Sequence, residues 1–162
     1  MWLEHENFSA DDVISQFDKY PKPKEVVFCG YGEPLLKFEL LKEISNYLKT
    51  QNIKIRINTN GIGNFANKKN IVPEIANFVD EISISLNAQN KELYNNISKP
   101  KYKNAYESML DFAKKCVENN IKTTLTVVDE YPSYTLDIQA CKKIADDIGA
   151  NFKIRKWLNN GY

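Results

Sequence analysis

The first residues that could do chemistry form a glycine-rich turn after an apolar segment. The turn consists of Gly30, Tyr31, Gly32, Glu33 and Pro34. Its two glycines allow the backbone to turn tightly and to approach a ligand closely, and the proline favours an extended conformation for the residue before it. The glutamate carboxylate and nearby carbonyl groups could then accept hydrogen bonds, for which a cationic amine is the natural donor. A plain turn between a strand and a helix would explain the same string, so its context decides between the two interpretations.

Amide and hydroxyl side chains recur at the ends of the segments that follow. Polar and apolar residues alternate over 53–60 and 81–87, and the last polar positions are Asn58, Asn60, Ser85 and Asn87. Because successive side chains of a strand point to opposite faces, one face should be apolar and the other polar. We expect these side chains to converge on one rim and bind a small molecule, although a solvated groove without a ligand fits the same pattern. Arg155 has the polar parity of the last segment and could contact a ligand carboxylate or phosphate, or form a structural ion pair.

The elements that must position these residues follow from periodicity. Segments rich in Val, Ile, Phe and Thr predict strands at 25–29, 53–57, 81–86, 121–128 and 151–156. Apolar residues at helical spacing predict helices within 9–17, 40–48, 105–116 and 138–148, the last ending at Gly149. The segment 71–78 can form only a short helix. Strands that alternate with helices predict a single α/β domain over 1–162, with a parallel sheet that is open or curved into a barrel. The polar rim would then lie at the carboxyl ends of the strands, where such barrels have their sites.

The ordered set of strand ends resembles the radical S-adenosylmethionine superfamily. Residues 30–33 are similar to its glycine–glycine–glutamate motif, which binds the methionyl amine of the cofactor, and residues 58–61 and 85–87 match strand ends that contact the ribose and carboxylate. The resemblance implies a partial parallel (β/α) barrel with helices on its outer face. It also implies cofactor-binding roles for Gly30, Tyr31, Gly32, Glu33, Pro34, Asn58, Asn60, Ser85, Asn87 and Arg155. Residues 26–34, 71–74, 83–88 and 140–145 are similar to the subgroup associated with TatD-family hydrolases.

The cysteines depart from the family pattern. The family holds a [4Fe–4S] cluster with a C-x3-C-x2-C loop before the glycine–glutamate motif, whereas the cysteines here are Cys29, Cys116 and Cys141. They are too widely spaced to hold a cluster, so no metal ligand is predicted. The first strand of the family also has no equivalent. Two explanations stay open: a truncated radical S-adenosylmethionine enzyme, or a degenerate relative that acts as a non-catalytic binding or assembly module. The pattern identifies neither a substrate nor a catalytic residue.

Without that family strand, the first strand of this chain becomes an apolar sheet edge. Such edges pair with other chains or must be covered. We therefore expect either self-association through residues 25–29 or docking of residues 1–8 against them.

Composition excludes several classes of partner. The chain has 162 residues and a formal net charge of +1, so no strong field favours nucleic acid or an acidic membrane. It contains no run of 18 apolar residues and no apolar segment at its start, which predicts neither a membrane span nor a signal peptide. An odd number of widely spaced cysteines argues against a disulfide scaffold and favours the cytoplasm. His5, the only histidine, is predicted to be a surface residue.

Overall fold

Five parallel strands form one open sheet, in the order in which they occur along the chain. The structure is a computed structural model that describes residues 8–30, 32–129 and 133–157. The strands are β1 Glu25–Phe28, β2 Lys54–Thr59, β3 Glu81–Ser85, β4 Lys122–Asp129 and β5 Asn151–Lys156. The predicted α/β class and the five parallel strands are confirmed. The largest difference is at β2, which continues to Thr59 because the alternation of exposed and buried side chains continues to that residue.

Helices connect the strands as crossovers. They are α1 Ala10–Phe17, a 3-10 helix Pro34–Lys37, α2 Phe38–Thr50, α3 Gly63–Ala66, α4 Val72–Ile75, α5 Lys91–Ser98, α6 Ala105–Glu118 and α7 Ile138–Ile148. Ser9 caps α1 in a capping box with Asp12, as its position before the apolar stripe indicated. Gly149 ends α7 in a left-handed conformation with φ of 82°.

Two helices were missed by the sequence pattern. In α3 only four residues are helical, too few for an apolar period to emerge. The helix α5 begins at an Asn90 cap and contains two successive asparagines, so its apolar stripe is short. The short helix expected within 71–78 is α4, and the rest of that segment is turn.

The core lies between one face of the sheet and the helices. It includes Ile55 and Ile57 of β2, Ile82 and Ile84 of β3, and Phe112 of α6, each at most 1% exposed. Burial of one such side chain contributes about 1.5–3 kcal/mol. The opposite face carries the polar parity, so the predicted division of the sheet into an apolar and a polar face is confirmed for β2 and β3.

Among the described residues, β1 pairs only with β2 and is therefore an edge strand. A groove of about 450 Å³ lies beside it, with an apolar wall that includes Phe28, Leu36 and Leu40. Phe8 also lines this groove, and the Nζ atom of Lys37 lies 4.6 Å from the centre of its ring. Of the segment predicted to dock here, residues 1–7, including His5, lie outside the described residues.

Within the parts of the chain that the structure describes, none of the helices is both long and apolar enough to cross a lipid bilayer.

Candidate functional site

The carboxyl ends of β1, β2 and β3 meet at a cavity of about 560 Å³, here named the strand-end cavity. Five residues predicted from the sequence line it: Gly32, Glu33, Asn60, Ser85 and Asn87. Parallel strands bring their loops to one edge of the sheet, which explains why residues far apart in sequence meet here. The far wall comes from α5 and the loop after it, and includes Tyr94, Ser98, Lys99, Lys101 and Tyr102.

Glu33 is held in place by three hydrogen bonds. One carboxylate oxygen, Oε1, accepts from the Thr59 hydroxyl at 2.6 Å and from the Leu35 amide at 3.2 Å. The other, Oε2, accepts from the Asn60 amide at 2.8 Å. The backbone of Glu33 is extended, with φ of −113° and ψ of 113°, as expected for a residue before proline. The carboxylate thus links the end of β1 to the end of β2, whereas the sequence suggested an acceptor reserved for a ligand.

The charge of Glu33 has no cationic partner among residues 8–30, 32–129 and 133–157. Burial raises the pKa of this carboxyl group, and the hydrogen bonds from Thr59, Asn60 and Leu35 oppose that effect. A carboxylate has about four lone-pair sites, so three hydrogen bonds leave capacity for another donor. A cationic donor would compensate the buried charge and bring the pKa down.

The loop after β2 depends on a glycine. Gly61 has φ of 81°, and a Cβ atom there would lie 2.7 Å from Cγ of Met109. The Gly61 amide donates to the Thr59 hydroxyl at 3.0 Å, and the Ile62 amide donates to Oδ1 of Asn60 at 3.1 Å. The Asn60 side chain therefore shapes this loop while its backbone amide holds Glu33.

Asn87 connects β3 to the far wall of the cavity. It adopts a left-handed conformation with φ of 62°, and its Nδ2 atom donates to the Ser98 hydroxyl at 3.0 Å. Tyr94 is buried beside it and packs against Tyr106, with ring centres 5.3 Å apart. Burial raises the pKa of Tyr94, the Ser98 hydrogen bond opposes this, and the negative charge of Glu33 raises the pKa further. Burial and the nearby negative charge of Glu33 thus both favour the neutral phenol.

Asn58 and Arg155 do not line the strand-end cavity. They line a second pocket of about 80 Å³ on the polar face of the sheet, here named the sheet-face pocket. The described residues that line it are Arg56, Asn58, Ser83, Ser85, Thr126, Lys153 and Arg155. Ser85 lines both spaces, so the two are adjacent. The rim predicted from the sequence is thus divided into two parts.

The remaining predicted residues belong to the turn itself. Gly30 and Pro34 line the groove beside β1, together with Gly32 and Glu33. Gly32 has φ of 117°, a conformation that other residues rarely adopt. Tyr31 lies outside the described residues.

Sequence reasoning missed Thr59 and the tyrosines of the far wall. Thr59 falls on the apolar parity of β2, yet its hydroxyl turns to Glu33 at the end of the strand. A hydroxyl at the last apolar position, next to an asparagine–glycine pair, is the signal that could have identified it. Tyr94 and Tyr102 gave no comparable signal, because Tyr94 lies in the short helix α5 and Tyr102 lies in the turn after it, which has no period.

The cysteines do not fit an iron–sulfur cluster. Cys29 is exposed, whereas Cys116 and Cys141 are buried on α6 and α7. Burial raises the pKa of Cys116 to about 12 and that of Cys141 to about 11, which disfavours the thiolate that binds iron. No three His, Cys, Asp or Glu residues in the described part of the chain are grouped so that they could hold a metal ion.

Comparisons with known proteins show the family and the fold of the chain. Residues 3–148 match the family model of the Radical SAM superfamily. A 7-carboxy-7-deazaguanine synthase from Methanocaldococcus jannaschii is 28% identical over 146 residues, which make up 89% of this chain and 55% of that enzyme. The chain thus spans about half the length of this curated relative. A domain of pyruvate-formate lyase-activating enzyme from Bacteroides vulgatus shares the fold, with a TM-score of 0.57 at 17% identity over 80% of this chain and 98% of that domain.

Proposed function

Because the chain belongs to the radical SAM superfamily, we propose that it binds S-adenosylmethionine in the strand-end cavity. The observation that carries this proposal is the half-buried Glu33 carboxylate, which lines the cavity without a cationic partner among the described residues. A methionyl ammonium group would supply that partner through a charge-assisted hydrogen bond. The cavity volume of about 560 Å³ falls within the range of about 300–1,000 Å³ that is typical of small-molecule sites.

Different residues of the cavity bind different parts of S-adenosylmethionine. Glu33 and the carbonyl groups of the glycine turn accept from the ammonium group, and Thr59 keeps the carboxylate in place. The Ser85 hydroxyl and the Asn87 amide serve the ribose and carboxylate, while Asn60 supports them by shaping its loop. Bound S-adenosylmethionine supplies the sulfonium group whose reductive cleavage drives the chemistry of the superfamily.

That chemistry also needs a [4Fe–4S] cluster, which membership of the superfamily implies. The three cysteines of this chain do not fit such a cluster, so no reductive step is assigned to these residues. We therefore propose that the chain is the cofactor-binding part of an incomplete catalytic domain. A cytoplasmic location fits this role.

The subgroup associated with TatD-family hydrolases is part of the same proposal. Its support is the sequence of residues 26–34, 71–74, 83–88 and 140–145. The genomic sequence around the gene tests both ideas. We expect a gene for a TatD-family hydrolase nearby and an in-frame C-x3-C-x2-C segment upstream of Met1. If that segment is lacking and a ribosome-binding site precedes Met1, the non-catalytic module becomes the better account.

Calorimetric titration with S-adenosylmethionine tests the cofactor site directly. We expect saturable binding to the 162-residue chain and a loss of about 10–100-fold in affinity for Glu33→Gln, since a hydrogen bond to a charged group contributes about 1.5–3 kcal/mol. Ser85→Ala should weaken binding to a smaller extent, because the lost hydrogen bond is neutral.

The matched control is Glu92→Gln, which removes an exposed carboxylate on α5 that does not line the cavity. Its affinity should equal that of the unaltered chain. Circular dichroism shows whether each variant is folded. Absence of saturable binding, or equal losses in the Glu33 and Glu92 variants, would contradict the proposal.

A further inference from the structure

The sheet-face pocket has an unusual charge composition. Of the seven described residues that line it, three are cations, namely Arg56, Lys153 and Arg155, and none is a carboxylate. We propose that this pocket binds the anionic end group, a carboxylate or a phosphate, of a small substrate whose reacting part extends into the strand-end cavity. The inference deepens the proposed function and depends on it for the identification of the bound molecule as a substrate.

Two of the three cations lack a charged partner in the described part of the chain. Arg56 forms an ion pair with Glu25, with an Nη2–Oε2 distance of 3.1 Å. Lys153 and Arg155, by contrast, have no ion pair or side-chain hydrogen bond within residues 8–30, 32–129 and 133–157. Lys153 and Arg155 are two residues apart on β5, so both side chains lie on the polar face of the sheet. Their charges are therefore available to an anion, and the guanidinium group can bind a carboxylate or phosphate with two parallel hydrogen bonds.

The uncharged residues of the pocket add hydrogen-bonding capacity without competing for the cations. The side-chain Oδ1 atom of Asn58 is buried and has no hydrogen-bond partner among the residues that the structure describes. A buried polar atom without a partner costs about 1–3 kcal/mol, so a ligand with a donor at this place would be favoured. The hydroxyl groups of Ser83 and Ser85 can donate to the anion or accept from that donor. These features favour an end group with a hydroxyl or amino group beside the anion.

The size of the pocket sets the size of the end group. Its volume of about 80 Å³ is much smaller than the 560 Å³ of the strand-end cavity. A small end group such as a carboxylate or phosphate suits this space, and the larger part of a substrate suits the strand-end cavity. Because Ser85 lines both spaces, a substrate anchored here would extend toward the cofactor cavity. The anchor would thus orient the substrate relative to the cofactor.

Titrations with two probes, glycolate and inorganic phosphate, test the pocket. Amide chemical shifts from nuclear magnetic resonance report the site of binding, and the ionic strength is held constant and low because exposed charges are screened by salt. We expect at least one probe to shift the amides of Ser85 and Thr126 in a saturable way, and the stronger probe identifies the end group. Lys153→Met and Arg155→Met should each weaken this binding about tenfold, as expected for the loss of a charge-assisted hydrogen bond.

Lys156→Met is the matched control, because this lysine is exposed on the same strand and has the opposite parity. Its affinity for the probe should not change. No saturable binding of either probe, or an equal loss in all three variants, would overturn the proposal.

A repetition with saturating S-adenosylmethionine separates the two proposals. If the probe still binds, the pocket binds a ligand other than S-adenosylmethionine, as proposed. Displacement of the probe would overturn the substrate assignment, because the pocket would then hold the carboxylate of the cofactor. If the chain binds the probe and does not bind S-adenosylmethionine, the anion site stands and the proposed function fails.

Discussion

Glu33 shows how one side chain can serve both the fold and the proposed site. Its carboxylate joins two strand ends through hydrogen bonds from Thr59 and Asn60, and it remains without a cation among the described residues. Hydrogen bonds fix the position of the carboxylate, while burial makes its charge costly in the absence of a ligand. A group in this state should reveal itself in the pH dependence of stability.

We expect Glu33 to destabilise the unliganded chain as the pH rises. Its pKa in the folded chain is raised above the ordinary value of 4.5, mainly by burial. The folded state therefore binds more protons than the unfolded state in the window from 4.5 upward, and stability falls as the pH increases through that window. Urea denaturation across this range should show that the free energy of unfolding of the unaltered chain, minus that of Glu33→Gln, decreases with pH.

Glu74→Gln is the control of opposite sign. Hydrogen bonds from Lys42 and Lys69 lower the pKa of Glu74 below 4.5. Its contribution to stability is present above 4.5 and is lost as the pH falls through the lowered value. The free energy of unfolding of the unaltered chain, minus that of Glu74→Gln, should thus increase with pH, and it should do so in a pH range below 4.5. If the two free-energy differences changed with pH in the same direction, burial would not be the dominant influence on the pKa of Glu33.

At the scale of elements, the loop between β2 and α3 places the rim of the cavity against α6. Gly61 has almost the same φ as Gly149, 81° and 82°, yet the two glycines differ in their surroundings. A Cβ atom at Gly61 would lie 2.7 Å from Cγ and 3.1 Å from Cα of Met109, whereas at Gly149 the nearest atom is 3.4 Å away. An alanine would therefore have the same backbone strain at both positions, but only at Gly61 would its Cβ atom overlap with neighbouring atoms.

Gly61→Ala should therefore destabilise the chain more than Gly149→Ala. The left-handed strain is common to both, and overpacking adds about 1–3 kcal/mol at Gly61. The free energy of unfolding from urea denaturation gives both values. Equal losses would mean that α6 moves away from the loop at no cost.

The edge strand β1 is the second element with a measurable consequence. It is paired on one side only among the described residues, and an apolar groove lies beside it. We expect the chain to self-associate through this edge, and Val27→Lys to shift the population toward monomer, because charged side chains on an edge oppose strand pairing. Sedimentation velocity over a range of concentrations measures this shift.

Ile154→Lys provides the comparison at the opposite edge, where this residue of β5 is 45% exposed. It should leave the association state unchanged. A chain that is monomeric at all concentrations would contradict self-association through β1 and would favour coverage of the edge by residues 1–8.

For the whole molecule, the distribution of thiols limits what the chain can do alone. Cys29 lies at the end of β1, and the other two cysteines are buried on separate helices. Anaerobic reconstitution with iron and sulfide should leave no stable cluster on the desalted 162-residue chain. The iron content per chain should be far below the roughly four iron atoms of a complete [4Fe–4S] centre. Iron analysis and electron paramagnetic resonance measure the outcome, and Cys29→Ser should behave in the same way. A well-formed cluster would show that the thiols can come together.

Local patterns in the sequence were enough to predict the architecture. Alternation at period two and apolar spacing at period 3.6 depend on neighbours along the chain, so five strands, the polar face and the caps at Ser9 and Gly149 could be predicted. Five predicted residues, Gly32, Glu33, Asn60, Ser85 and Asn87, meet in one cavity because parallel strands all end at the same edge of the sheet.

Only the tertiary structure decided how those residues divide and which partners they have. Asn58 and Arg155 lie in a separate basic pocket, and Thr59 turns its hydroxyl from the apolar parity to Glu33. The turn after α5, which brings Lys99 and Tyr102 to the cavity, contributes no period to the sequence. The physical reason is that periodicity specifies the face on which a side chain lies. Its distance from another strand, its burial and the compensation of its charge arise from contacts between residues that are far apart in the chain.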